Sequence, residues 1–282
     1  MTEPNLANLL VALNQQLSGK IEAPRDTGLL LIAHVLHKPK TWVMAYPEHQ
    51  PTLQEVQRIT TLSDRLLNGE PLPYVLGSQE FFGFQFQVTP QVLIPRPETE
   101  LLVEIALAWL HAHPSQRLAA DVGTGSGCIA VVLATQVPDL RLVASDVSQP
   151  ALLIARGNAI ANHVAPQINL VQADLLTPIT CHFDLICANL PYVPSVKLAE
   201  VNTLGFEPIA ALEGGPNGLS FIARLLTQAI THIKTPGLIL FEIEATIGQA
   251  ANNLANKVFP RGIVQLLPDL SGKDRVVSIA LQ

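Results

Sequence analysis

Two short runs of this chain hold residue types that could do chemistry together. The first is Asp121-Val122-Gly123-Thr124-Gly125-Ser126-Gly127, three glycines at alternate positions behind an acid. Such glycines let a backbone turn tightly and approach a ligand with no Cβ in the way. A helix opening at the end of the run would add free N–H groups and a field favouring negative charge. The spacing is GxGxG, not the GxGxxG of a dinucleotide-binding turn, and no lysine follows to complete a GxxxxGK phosphate loop. The run therefore suits a cofactor without phosphates. Asp146 ends the next apolar stretch, where a carboxylate can accept both hydrogen bonds of a ribose diol. Its alternative role is to cap a helix starting near residue 149, for which Ser148 is an equal candidate. Asp174 and Leu175 follow a further apolar run. They are placed to meet an adenine, Asp174 near its amine and Leu175 against a ring face, although Asp174 could simply cap a turn.

The second run is Asn189-Leu190-Pro191-Tyr192, reached directly from Phe183-Asp184-Leu185-Ile186-Cys187-Ala188. A strand at 183–188 would put Asn189 at its carboxyl end, where open α/β sheets bind ligands. A planar amide or aryl amine is a poor nucleophile, because its lone pair is delocalised. Two acceptors, the Asn189 side-chain oxygen and the Leu190 carbonyl, could hold both of its N–H bonds. They would aim the nitrogen at a sulfonium methyl and favour the positive charge developing there. Pro191 would fix the geometry of that carbonyl through its φ, and Tyr192 would stack on the flat amide or base. The competing reading is a strand-ending Asx turn, for which Asn and Pro are common.

The elements that must position these residues are visible in the spacing of apolar side chains. After Pro95, strand-like runs at 118–122, 140–145, 168–172, 183–188 and 238–243 alternate with helical periodicity at 98–112, 127–136, 149–163 and 218–234. Strands separated by helices imply a mostly parallel, doubly wound sheet of the α/β class. Strands at 263–267 and 275–280 are joined by only a few residues, so an antiparallel hairpin closes the sheet. Upstream, helical spacing recurs in Leu6, Leu9, Leu10 and Leu13, in Leu29, Leu30, Ala33 and Leu36, and again in Val56, Ile59, Leu62 and Leu66. Gly69, Pro71 and Pro73 then break the pattern. Between Glu80 and Ile94 the period becomes two, with Phe82, Phe84, Phe86 and Val88 on one face. Thr89-Pro90 marks a turn before Val92 and Ile94, the pattern of a β-hairpin. The expected division is a helical domain at 1–75, a linker with the hairpin at 76–95, and a catalytic domain at 96–282.

Composition narrows the class. Of 282 residues 48% are hydrophobic, enough for a sizeable core. A formal charge of -6 lacks the basic footprint of a protein held on nucleic acid by phosphate contacts. Cys128, Cys181 and Cys187 form no CxxC pair and no metal-ligand spacing, so no metal is expected and a reducing compartment fits them. No apolar stretch approaches the roughly 20 residues that span a bilayer, and no signal segment opens the chain. A cytoplasmic protein with no membrane association is expected.

Taken together, these residues resemble the HemK-type protein-glutamine methyltransferases that modify peptide-chain release factors. The resemblance begins at Pro73-Tyr74-Val75-Leu76-Gly77 and Phe81-Phe82, and takes in Leu93 to Glu100, Asp121 to Gly127 and Asn189 to Tyr192. It continues through Phe206-Glu207-Pro208, Ala211 to Gly215, Gly218-Leu219 and the segment from Asp269-Leu270 to Val277. It implies a Rossmann-like class I methyltransferase sheet and S-adenosylmethionine as cofactor, held by Gly123, Thr124, Gly125, Ser126, Gly127, Asp146, Asp174, Leu175 and Asn189. It also implies catalysis and substrate binding by Asn189, Leu190, Pro191 and Tyr192. The partners implied are release factors, met by a monomer at the glutamine of their Gly-Gly-Gln loop, with residues 1–75 as the recognition domain.

One departure stands out. The family usually has Asn-Pro-Pro-Tyr, whereas Leu190 occupies the second position in this chain. Leucine there resembles the rRNA adenine dimethyltransferases, and it opens an alternative: methylation of an exocyclic amine on an rRNA or DNA base. That reading needs a basic channel, yet the first 75 residues carry 7 acids and 6 bases. A cofactor-binding module without catalysis is a third possibility, against which Asn189 and Tyr192 speak. The acceptor carbonyl survives the change to leucine, so the chemistry of the run is retained.

Overall fold

The structure is a computed structural model that describes residues 5–201 and 205–282, with the side chain of Val201 left out. The chain divides into two compact units, Met1–Ser78 and Gln79–Gln282.

The first unit is helical: α1 (Leu6–Leu17), α2 (Pro24–Leu36), α3 (Lys40–Ala45), α4 (Leu53–Leu67) and α5 (Leu72–Leu76). Local chemistry sets several of these ends. The Asn5 side chain accepts from the Asn8 N–H at the start of α1. Thr52 and Glu55 form a reciprocal capping box at the start of α4. The core joins Leu6, Leu9 and Leu13 to Leu31, Ile32, Ile59, Leu66 and Val75. Gly28 lies inside α2 because α1 passes close by; a Cβ there would sit 3.2 Å from Leu10 Cδ1. The helix-breaking residues near 71–73 do not end the helical part, since Pro73 falls in the first turn of α5, where its missing N–H has no partner to lose.

The second unit opens with a two-stranded hairpin, β1 (Ser78–Phe81) and β2 (Phe84–Gln87). Its turn is at Phe82-Gly83, not at Thr89-Pro90 as expected, and residues 92–94 form no strand. Phe82 and Gly83 both have positive φ, 53° and 76°, the backbone of a turn that matches strand twist. Glu100 Oε1 holds the turn by accepting from the Phe82 N–H. The alternating phenylalanines concealed this, because Phe82 is in the turn while Phe81 and Phe86 are the buried ones.

There follow α6 (Glu100–Ala112), β3 (Leu118–Val122), α7 (Cys128–Gln136), β4 (Arg141–Asp146), α8 (Gln149–Ala161), β5 (Ile168–Gln172) and β6 (Phe183–Ala188). The chain continues through α9 (Leu198–Val201), α10 (Ser220–Ala229), β7 (Ile233–Glu242), α11 (Gly248–Val258), β8 (Ile263–Pro268) and β9 (Asp274–Leu281). One sheet of seven strands runs in the order β5-β4-β3-β6-β7-β9-β8. The pairs from β5 to β7 are parallel, and β9 runs antiparallel to both β7 and β8. Successive strand residues alternate between two cores. Ala119, Leu185, Cys187 and Leu240 join the cluster of α6, α7 and α8, while Ala120, Ile186, Ala188 and Phe241 join that of α10 and α11. The strand order reverses between β3 and β6, so their carboxyl ends frame the crevice where such sheets bind ligands.

Helix α11 has no counterpart among the expected helices. Its buried face is Gly248, Ala251 and Ala255, too small to register as an apolar stripe.

Candidate functional site

The glycine run leaves β3 as a turn held from below. Asp121 is fully buried, and its Oδ2 accepts from the Thr124 hydroxyl at 2.6 Å and the Ala130 N–H at 3.2 Å. Burial is the main cause that pushes its pKa up to about 6, and the charge of Asp146 adds to it. The N–H groups of Gly123 and Thr124 both donate to the Ser145 carbonyl, tying the turn to β4. Gly123 has φ 73°, which strains any other residue, and a Cβ on it would lie 2.9 Å from Leu190 Cδ2 and push that side chain aside. Gly127 caps α7 with φ 81° and abuts Ala155 of α8. Asn158, inside α8, donates to the Ser126 carbonyl and exchanges hydrogen bonds with the backbone of Gln87. It thereby fastens the hairpin to the glycine turn.

Asp146 faces this turn. One carboxylate oxygen accepts from the Gly125 N–H and the other from the Ser148 N–H, each at 2.9 Å. Burial raises its pKa, opposed by these backbone donors. The helix cap proper is Ser148, whose side chain accepts from Ala151. Beyond β5, Leu175 is held with φ 57°, an uncommon conformation for leucine. Ser145 Oγ donates to its carbonyl and Gln228 Oε1 accepts from the next N–H, that of Leu176. Asp174 pairs with Arg224 at 2.5 Å on the exposed side.

A continuous cavity of about 580 Å³ joins these elements. Its lining includes Gly123 to Ser126, Asp146, Val147, Asp174 and Leu175, and also Thr99, Asn189, Leu190 and Pro191. Gly127 and Tyr192 stand behind this lining and do not form part of it. Cys128 lines it, but burial pushes that thiol up to about 12, which leaves it protonated and unreactive.

Asn189 is held through its nitrogen. Nδ2 donates to Thr99 Oγ1 and to Glu242 Oε2, each at 3.0 Å. The Thr99 hydroxyl in turn donates to Glu242 Oε2 at 2.6 Å, and the Tyr192 hydroxyl donates to Glu242 Oε1 at 3.1 Å. Glu242 ends β7 and is 1% exposed. Burial raises its pKa, against the bonds from Thr99 and Tyr192. Oδ1 of Asn189 takes no part in these bonds. Leu190 is buried, its side chain in the core beside Val122 and against Gly123. The leucine thus fills space under the glycine turn, while the residue's carbonyl remains part of the Asn189 loop.

The loop after Tyr192 is braced by glycines. Gly214 donates to the Val193 carbonyl, and a Cβ on it would lie 2.7 Å from Pro191 O. A Cβ on Gly218 would meet Tyr192 O at a distance no side chain allows. Arg96 grips both oxygens of Glu207 at 2.7 and 2.6 Å, joining the segment before α6 to this loop.

With this geometry in view, the likeness to known proteins is specific. A family model described as the PrmC N-terminal domain matches residues 8–77, and one described as the methyltransferase small domain matches residues 98–204. The release factor glutamine methyltransferase of Moorella thermoacetica is 37% identical over 269 residues, covering 94% of each chain. That of Koribacter versatilis is 38% identical over 259 residues, covering 90% of each. The chain belongs to the release factor glutamine methyltransferase family. It is therefore an enzyme of the methyltransferase class. Among solved structures, ribosomal protein L11 methylase from Lactobacillus delbrueckii subsp. bulgaricus aligns with TM-score 0.51 at 22% identity, covering 72% of this chain and 90% of that one. The hMettl16 catalytic domain aligns at 0.57 and 15%, covering 82% and 83%. These share the fold.

Sequence reasoning named Asn189 but not the residues that hold it. Thr99 and Glu242 are 143 positions apart. One signal was available: Glu242 is an acid inside the apolar run 238–243, and an acid buried there requires partners. Asn158 in the apolar part of α8 carried the same kind of signal.

Proposed function

We propose that this member of the family transfers the methyl group of S-adenosylmethionine to the side-chain amide nitrogen of the glutamine in the Gly-Gly-Gln loop of peptide chain release factors. The observation that carries this reading is the Asn189 amide, held by its nitrogen in the cavity that also contains the glycine turn.

The residues present fit S-adenosylmethionine. Glycines stand where side chains would fill the approach to the turn, Asp146 offers acceptor oxygens beside it, and the cavity reaches Asn189 without a break. Gly123, Thr124, Gly125, Ser126 and Asp146 would hold it with Asp174 and Leu175 at the base end, and Gly127 would set the helix behind. Asp174 would reach a base amine while remaining paired with Arg224. The bound cofactor supplies an electrophilic methyl. Asn189 Oδ1 and the Leu190 carbonyl accept the two N–H bonds of the glutamine amide and fix the direction of its nitrogen. They also favour the positive charge that grows on that nitrogen as the new N–C bond forms and the methyl–sulfur bond breaks. The methylated nitrogen, strongly acidic once it is cationic, then gives one N–H proton to solvent water. Pro191 stiffens the carbonyl, and Tyr192, anchored to Glu242 behind the cavity lining, braces the loop that carries Asn189.

A glutamine in a glycine-rich loop offers little surface of its own. Residues 1–75, which carry α1 to α4, supply the second contact area on the release factor, since a stable interface needs about 800 Å² per partner. The enzyme acts in the cytoplasm as a monomer.

The test is transfer of radiolabelled methyl to purified release factor, with rRNA as the competing substrate. Label on the Gly-Gly-Gln glutamine supports the reading. Label on rRNA alone would replace it with base methylation.

A further inference from the structure

We propose that Glu242 is the positioning residue of the Asn189 side chain, its carboxylate selecting the one amide orientation that leaves Oδ1 as an acceptor for substrate. The inference rests on the proposed role of Asn189 and adds what enforces it.

An asparagine amide has two ends of nearly equal shape, and its neighbours decide which end points where. At Asn189 both neighbours of one end are acceptors. The Thr99 hydroxyl has already committed its proton to Glu242 Oε2 at 2.6 Å, so only its lone pairs face Asn189. An ionised Glu242 has lone pairs alone. The amide NH2 satisfies both with its two protons, each at 3.0 Å. Turning the amide over would set its oxygen against two buried acceptors and leave a donor where the substrate also brings donors. Glu242 further receives the Tyr192 hydroxyl on its other oxygen. One buried carboxylate therefore orders Thr99 from the turn before α6 and both Asn189 and Tyr192 from the loop after β6.

The device depends on charge. A protonated Glu242 gains a donor, and the amide loses its reason to prefer one orientation. The charged and titratable groups around it are Arg275 of β9, which favours the anion, Glu98 before α6, which opposes it, Tyr192, and Cys128 of α7. Burial raises the Glu242 pKa, so activity is lost as pH falls through that raised value.

The experiment compares wild type with Glu242→Gln, Thr99→Val and Thr99→Ser. Glutamine keeps the shape but brings a donor of its own. Glu242→Gln should lower kcat by roughly tenfold or more, the scale of one mismatched buried hydrogen bond, with S-adenosylmethionine affinity by calorimetry unchanged. Its acid limb in the pH profile should vanish. Thr99→Val should lower kcat less, and Thr99→Ser should restore it. A second readout needs no substrate. In protein labelled with 15N-asparagine, the Asn189 NH2 signals, identified by their loss in Asn189→Ala, should move on acidification in wild type and stay fixed in Glu242→Gln. A folded Glu242→Gln protein with wild-type kcat and wild-type NH2 titration would overturn the proposal. If Glu242→Gln does not fold, unchanged kcat in Thr99→Val together with wild-type NH2 signals that do not titrate would do so. If wild type itself fails to methylate release factor, the proposed function falls, and the NH2 titration still decides the role of Glu242.

Discussion

Two parts of the cavity wall, the glycine turn and the Asn189 loop, are built differently. At the glycine end, the groups that shape the site lie within one turn or on the neighbouring strand: Asp121 holds Thr124, Ser145 holds Gly123, and Asp146 holds Gly125. Most of this is backbone, fixed by glycine conformation and parallel pairing. At the Asn189 end, the group proposed to act is one side chain, and its orientation comes from Thr99 and Glu242 on distant elements. The first arrangement is local and suits binding. The second needs the whole sheet assembled, and it suits chemistry in which the direction of an acceptor matters. The two meet at Leu190, whose side chain packs under Gly123.

The largest effect that separates the ends is at Asn189. Asn189→Ala should reduce turnover on the order of a hundredfold or more, as for loss of one preorganised polar partner, and should lower S-adenosylmethionine affinity, by calorimetry, far less. Near-normal turnover would remove Asn189 from the chemistry. Asp146→Ala should act in the opposite sense. It should weaken cofactor binding by about 1–3 kcal/mol, the range for charge-assisted hydrogen bonds, and unchanged affinity in the folded variant would take Asp146 off the ribose.

A comparable effect, on stability, belongs to Asp121. Its folded pKa of about 6 lies above the unfolded value of 3.8, so between those values the folded state binds more protons. Stability contributed by this group is present below the unfolded pKa and is lost as pH rises through the folded one, by up to about 3 kcal/mol. Asp121→Asn should lose that slope while its amide oxygen still accepts from Thr124 and Ala130. Denaturant unfolding of both proteins from pH 4 to 7 measures it, and parallel curves would refute the assignment. The smallest effect should come from Leu190→Pro, which keeps the acceptor carbonyl. Activity on release factor should stay within a few fold of wild type, in keeping with a leucine retained for packing; an inactive variant would show that Leu190 tunes the substrate.

What could be read from the sequence follows the same division. The strands at 118–122, 168–172 and 183–188 match the structure residue for residue, because short, mostly apolar runs leave little freedom in a parallel sheet. The antiparallel end was legible because too few residues separate β8 and β9 for a crossover. The hairpin turn was misplaced because a period of two cannot reveal which phenylalanine leaves the strand. Helix α11 went unseen because glycine and alanine make its buried face. The pairing of Thr99 with Glu242 was out of reach for a different reason: an acid in an apolar run signals that it needs partners, but spacing along the chain carries no information about which side chains a seven-stranded sheet will bring to it.

The separateness of the two parts is tested most directly by a double-mutant cycle between Asp146→Ala and Asn189→Ala, read as kcat/KM for S-adenosylmethionine at a fixed, saturating concentration of release factor. If one residue serves binding and the other chemistry, their effects add to within about 0.5 kcal/mol. A coupling well above 1 kcal/mol would mean that the glycine turn and the Asn189 loop act as one unit, and would contradict the division of labour between binding and chemistry.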